Sequence, residues 1–220
     1  MKGQIFVIEG TDGSGKQLQS KLLYEKLIAD GKKVLLQSFP NYESQSSGPV
    51  KMYLGGELSE TANEIDAYQA STLFAVDRFC TMKQIEKFYL DGGIIILDRY
   101  VESNMMHQAG KIENTEAREK FLDWIDEFEF GLLKLPRPDK VIFLNVAPEV
   151  SKKLREKRGI NKNGQKKDIH EQDDMHIINA YNAGVAVSKK FGWIEIDCSI
   201  DGEMRKIEEI HAEICEKLGF

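Results

Sequence analysis

The sequence predicts a doubly wound α/β fold: a five-stranded parallel sheet with helices on both faces. Three observations carry that prediction. Five short β-branched runs recur along the chain, each nearly continuous in apolar residues rather than alternating, as parallel strands covered on both faces require. Helix-length amphipathic stretches lie between them, which is the alternation that right-handed strand–helix–strand crossovers produce. A glycine-rich turn, 10-GTDGSGK-16, joins the first run to the first helix.

The strand candidates are 4-QIFVIE-9, 33-KVLLQSF-39, 93-GIIILD-98, 140-KVIFLNV-146 and 193-WIEIDC-198. The first helix begins near Gly15, carries Leu22, Leu23 and Leu27 on one side between Ser20 and Ala29, and has a stop at Gly31. A long helical segment holds 71-STLFAVDR-78. Phe121, Ile125, Phe128 and Leu132 recur at helical spacing and are expected in the core. In 152-KKLREKRGINKNGQKK-167, eight residues are Lys or Arg and one is Glu. Gly159, Asn161, Asn163 and Gly164 interrupt it like a mobile loop between helices. Most such runs are solvated faces; in an otherwise acidic chain, a basic flap is also what closes over a polyphosphate. No repeat or low-complexity linker divides the chain, so residues 1–220 read as one domain with a lid at about 152–172.

Composition narrows the function. Charged residues are 30% and apolar residues 41%, and the formal net charge is −6. That balance reads as globular and argues against a nucleic-acid partner; any anion site must be local. The longest apolar runs, such as 94-IIIL-97, are too short to cross a bilayer, and Met1-Lys2-Gly3 runs into a strand without a signal-peptide pattern. Cys80, Cys198 and Cys215 are widely spaced and form no CxxC, which suits reduced thiols in a cytoplasmic protein. Cys215 falls among apolar positions of the last helix and reads as packing.

The chemistry starts at the glycine-rich turn. Gly10, Thr11, Asp12, Gly13, Ser14 and Gly15 meet the G-x-x-x-x-G-K spacing, so their backbone N–H groups turn inward, the helix N-terminus adds to that field, and Lys16 supplies a movable charge for phosphates. The pattern places Ser or Thr next, on magnesium; here the position is Gln17, whose amide oxygen is an acceptable but longer ligand. In 94-IIILDRY-100, four apolar residues end in Asp98, a Walker-B-like candidate for Mg2+, and Arg99 follows where it can touch phosphate. A buried Asp–Arg pair at a strand end is the plainer reading. Phe74 and Arg78 are four apart on one helix face, a ring to stack on a base and a guanidinium to read its edge. Alone, Phe74 reads as core.

Taken together, IEGTDGSGK, FPNY, LFAVDR, LDRYVESNMMHQ and 168-DIHE-171, in this order and over essentially the whole chain, resemble the thymidylate kinase family of P-loop NTPases. The resemblance implies a three-layer P-loop sandwich, usually a homodimer, that transfers the γ-phosphate of ATP to dTMP with Mg2+. It implies that Asp12 contacts the 3′-hydroxyl of the monophosphate, Phe74 stacks on thymine, and Arg78 reads its edge. Asp98 and Arg99 then lie near metal and phosphate. Ser103, Asn104, His107 and Gln108 line sugar and base, with His107 a wall against a ribose hydroxyl. Phe39 and Pro40 begin the substrate-side loop. The family often has an arginine there; 39-FPNYES-44 has none, leaving Lys51 or Arg99 as stand-ins. Because Gly13 follows Asp12, the catalytic arginine is expected from the lid, Arg155 or Arg158, with Lys162, Lys166 and Lys167 behind.

Two alternatives stay open on the sequence. One is a kinase for another deoxynucleoside monophosphate. The other is a nucleotide binder without transfer activity, motivated by Gln17 and the missing loop arginine. A switch GTPase is disfavoured, since no NKxD-type guanine reader ends a strand.

Overall fold

The computed structural model describes residues 2–61, 63–158 and 173–220, with the side chains of all of these except Lys157 and Arg158. All five expected runs are strands: β1 Gln4–Glu9, β2 Val34–Ser38, β3 Ile94–Asp98, β4 Lys140–Asn145 and β5 Ile194–Asp197. They pair in parallel in the order β2-β3-β1-β4-β5. Their unbroken apolar character has a direct cause, since successive residues serve two cores. Ile5, Val7, Ile95, Leu97 and Val141 belong to one, and Phe6, Ile8, Ile96, Ile142 and Leu144 to the other.

The helices are α1 Lys16–Ala29, α2 Gly48–Leu54, α3 Ala67–Leu90, α4 Val101–His107, α5 Thr115–Asp126, α6 Pro148–Arg158, α7 Asp174–Phe191 and α8 Ile207–Leu218. Leu23 and Leu27 of α1 close the second core with Ile210, Ile214 and Cys215 of α8. Met82, Met105, Phe121 and Val187, from α3, α4, α5 and α7, close the first. The result is the expected three-layer sandwich, and Cys215 packs as its position implied. Leu22 is only half-buried.

Two features differ from the periodicity. The stripe expected from Phe121 to Leu132 holds for Phe121 and Ile125, but Phe128 is half-buried and Leu132 is 69% exposed. The cause is a π-helical turn at Glu127–Leu132, whose wider pitch carries Glu129 and Phe130 inward and turns Leu132 out. A short hairpin, β6 Ser199–Ile200 with β7 Glu203–Met204, follows β5 through Asp201 and Gly202, both at positive φ.

The strand order also locates the site. The chain leaves β1 for β2, beyond β3, but leaves β3 for β4, beyond β1. Loops that diverge this way leave a crevice at the carboxyl ends of β1 and β3, where Ile8 stands opposite Asp98.

Candidate active site

The phosphate loop lies at that crevice. Gly15, at φ +89, precedes the first residue of α1, and Lys16 is buried with its Nζ donating to the Thr11 carbonyl at 2.9 Å. Burial, followed by the charge of Arg99, lowers the Lys16 pKa, while Asp12 and Asp98 oppose that shift. Gly13 sits at φ +90, and a Cβ there would meet the Ser151 carbonyl at 2.8 Å and Arg155 Cγ at 3.1 Å. Helix α6 therefore lies against the loop where a side chain would otherwise stand. Arg155 Nη1 donates to the Asp12 carbonyl at 3.2 Å, and its Nη2 reaches Asp174 of α7 at 3.3 Å. Ser14 Oγ is buried without a hydrogen-bond partner among the described residues. Gln17, one residue into α1, is exposed and lines the cavity.

Arg99 is the hub between loop and β3. It is a non-glycine residue at φ +71, a conformation costing about 1–3 kcal/mol that its surroundings over-determine. Its N–H donates to the Ile8 carbonyl at 3.2 Å; its guanidinium binds the Asp12 carboxylate, Ser103 Oγ at 3.3 Å and His107 Nε2 at 3.1 Å. Burial works against its charge, but Asp12, Glu9 and Asp98 outweigh that and raise its pKa. Asp12 is thus held between Arg99 and Lys16, whose Nζ is 3.7 Å away.

Asp98 ends β3 at the same wall. Among the described residues, no group of three or more His, Cys, Asp or Glu is placed to hold a metal. One carboxylate and one amide suit a hard cation that takes the rest of its shell from phosphates and water.

A cavity of about 350 Å³ runs from Gly13, Gly15, Lys16 and Gln17 of the phosphate loop past Arg99 to Phe74 and Arg78. Phe39 and Pro40 border it after β2, joined by a cis peptide bond, and Phe39 packs on Tyr100 with ring centroids 5.8 Å apart. Asp77 of α3 pins this loop by accepting from Asn41 N and Ser46 Oγ, both at 2.7 Å. Phe74 stands half-buried on the cavity wall, edge-on to Tyr53. Arg78 is 2% exposed and paired with Glu129, Nε to Oε2 and Nη2 to Oε1 at 2.6 Å each. Asn104 and Gln108 project from the α4 side, and Gln108 Oε1 is buried without a partner among the described residues.

Several of these groups have no motif to announce them. Glu9, wholly buried, accepts from Ser103 Oγ at 2.6 Å, Gly10 N at 3.2 Å and Tyr100 N at 3.3 Å. It ties β1, the phosphate loop and the turn after β3. Burial raises its pKa, with Arg99 the main opposing influence. Ser103 therefore orients Glu9 and Arg99 as well as lining the cavity. His107 Nδ1 lies 3.3 Å from His176 Nε2 of α7. With Arg99 donating to Nε2, His107 carries its proton on Nδ1 and donates it to His176. Burial, then Lys111, brings the His176 pKa down to about 4.

Two expectations fall elsewhere. Lys51 is on the exposed face of α2 and does not line the cavity, because the side facing inward there belongs to Val50, Tyr53 and Leu54. Of the two stand-ins for the loop arginine, the structure brings Arg99 alone to the site. The Arg158 side chain, Lys162, Lys166, Lys167 and 168-DIHE-171 lie outside the described residues.

Phosphate loop, strand order and the cavity that runs on from the loop together define a P-loop α/β protein. Comparison with known proteins gives the particular family. The thymidylate kinase family model matches residues 8–214. Thymidylate kinase of Mycobacterium tuberculosis is 32% identical over 170 residues, 77% of this chain and 78% of that one. That of Plasmodium falciparum is 30% identical over 217 residues, covering 99% and 90%. The solved thymidylate kinase of Candida albicans superposes with a TM-score of 0.72 over 99% of this chain and 92% of its own, at 21% identity. The chain belongs to the thymidylate kinase family.

Proposed function

We propose that this chain transfers the γ-phosphate of ATP to dTMP, giving ADP and dTDP, as a single kinase domain over residues 1–220 with a lid at about 152–172. The observation that carries the reading is the placement of Arg99 in one cavity between the phosphate loop and the Phe74–Arg78 end, with Asp98 beside it. Gly10 to Gly15 and Lys16 hold the donor phosphates. Arg99 receives the acceptor phosphate, Phe74 and Arg78 take the base, and Asn104 and Gln108 complete that pocket. Asp12 serves the 3′-hydroxyl, at the cost of loosening its pairs with Lys16 and Arg99.

No general base is required, since a phosphate monoester with a second pKa of about 6 is already a nucleophilic dianion at neutral pH. That suits His107, whose Nε2 is held by Arg99; it acts as a wall beside the sugar. Bringing two anions into line is the barrier, so positive charge and positioning supply the catalysis. Arg155, already on the loop backbone, is the described candidate for the lid arginine, with Arg158 three residues on.

Mg2+ is the expected ion. Asp98 would be its main protein partner and Gln17 a secondary one, and the bound ion would supply charge neutralisation for the donor phosphates. Gln17→Thr is expected to lower the Mg2+ concentration for half-maximal turnover severalfold and leave metal-free ATP affinity unchanged; an unaltered Mg2+ titration removes Gln17 from the ligand set. No described helix is long and apolar enough to cross a membrane, and substrates such as ATP and dTMP suit the cytoplasm. Exposed Val76 and Phe79 on α3, at 49% and 36%, support a homodimer.

The direct test is a panel of dTMP, dUMP, dCMP, dGMP and AMP with ATP, with and without Mg2+. dTMP-dependent, Mg2+-dependent ADP release exceeding that of the other acceptors is expected. ATP binding without turnover on any acceptor would leave a non-catalytic binder.

A further inference from the structure

One carboxylate lies behind the Arg78–Asn104 end of the cavity. Glu129 is wholly buried and accepts three hydrogen bonds: from Arg78 Nε and Nη2 at 2.6 Å each, and from Asn104 Nδ2 at 3.1 Å. Asn104 Nδ2 also donates to the Ser71 carbonyl at 3.3 Å, and Arg78 Nη1 to the Tyr100 carbonyl at 3.3 Å. These contacts leave no choice in how the two side chains face. A carboxylate only accepts, so it draws the amide nitrogen of Asn104 to itself and leaves Oδ1 as the group offered elsewhere. It likewise takes one edge of the Arg78 guanidinium, leaving one N–H on each of Nη1 and Nη2 outside these bonds. Arg78 and Asn104 both line the cavity, which therefore meets a ligand with N–H donors beside a carbonyl acceptor.

From this we infer that Glu129 is the positioning residue that fixes the hydrogen-bond polarity of the base pocket. The inference rests on the monophosphate kinase reading above and goes on to say what selects the base. A thymine or uracil edge presents a C=O beside a ring N–H, complementary to the Arg78 donors and the Asn104 oxygen. Cytosine presents an amino group beside a ring-nitrogen acceptor, so it is mismatched at both points. Buried groups left unpaired are what make such a mismatch costly. Glu129 touches no substrate in this scheme. It acts by forbidding the flipped Asn104 and the rotated Arg78, and the π-helical turn at Glu127–Leu132 is what carries it inward.

The test is the ratio of kcat/KM for dTMP to that for dCMP, with dUMP as an internal control. In Glu129→Gln one amide oxygen replaces two acceptor oxygens. At the Oε1 place it still accepts from Arg78 Nη2 and Asn104 but sets its NH2 against Arg78 Nε; at the Oε2 place it keeps Nε but sets its NH2 against Asn104, so Arg78 or Asn104 must turn. The dTMP-to-dCMP ratio is expected to fall at least about tenfold, while dTMP and dUMP, which share the same edge, keep their mutual ratio. A merely structural role lowers all three acceptors in parallel. Glu129→Asp retains the charge opposite Arg78 but withdraws the carboxylate by one methylene, and serves if the Gln variant does not fold; its ratio falls as well. A folded variant of either kind with the wild-type dTMP-to-dCMP ratio overturns the inference and leaves the kinase reading standing. A wild-type protein without dTMP turnover overturns that reading first, and this inference with it.

Discussion

Arg99→Ala is expected to lower kcat/KM for dTMP about a thousandfold, with most of the protein's folding stability retained. Removal of one preorganised donor at a developing charge typically costs about two to three orders of magnitude, and an arginine at a transferring phosphoryl group more. The described cations lining the cavity are Lys16, Arg78 and Arg99. Lys16 is committed to the phosphate loop, and Arg78 is held by Glu129. No arginine follows Phe39 and Pro40, and Lys51 is outside the cavity, so among the described residues the acceptor phosphate has no substitute for Arg99. Alanine at φ +71 bears the same backbone cost as arginine, so the change isolates the guanidinium. Arg99→Lys separates charge from geometry: one ammonium cannot hold Asp12, Ser103 and His107 in a fixed fork. It should recover much of the dTMP affinity and little of kcat. Steady-state kinetics with calorimetric dTMP titration resolve the two, and an Ala variant within tenfold of wild type would displace Arg99 from this role.

The reason the sequence discloses some of this and not the rest is physical. The five strands are legible because both faces are buried, so each reads as an unbroken apolar run. The phosphate loop and the Asp98–Arg99 pair are legible because their chemistry lies on consecutive residues at strand ends. The hairpin through Asp201-Gly202 was not expected from the sequence, because the strands it joins are too short for periodicity to show. Glu129 and His176 had no local signal. Each acts on a partner far along the chain, Arg78 in one case and His107 in the other, and only the tertiary fold brings them together. Gly13 was legible as a phosphate-loop glycine but not as the surface on which α6 packs. The Leu132 expectation failed because a π-helical turn breaks the period on which the stripe relied.

Glu102→Gln is expected to stabilise the protein by about 2 kcal/mol at pH 8 and to change it little at pH 4. Glu102 is 3% exposed, and its Oε2 has no hydrogen-bond partner among the described residues. Burial raises its pKa to about 8, opposed by its own backbone N–H and by Arg78, and reinforced by the Glu9 and Glu129 carboxylates. In the unfolded chain the group titrates near its ordinary value of 4.5. Between those two values the native state keeps a proton that the unfolded state has lost, so stability is present below pH 4.5 and is lost progressively as pH rises toward 8. Each unit of that interval is worth about 1.4 kcal/mol, and the amide's own burial offsets part of the gain. His176 has the opposite sign: its folded pKa of about 4 lies below the usual 6.5, so stability is lost as pH falls through that window. Urea unfolding at a series of pH values separates them. The Gln variant should lose the decline on the alkaline side and keep the decline on the acid side. Parallel curves for variant and wild type from pH 5 to 8 would mean that Glu102 is ionised in the folded protein, with its charge compensated.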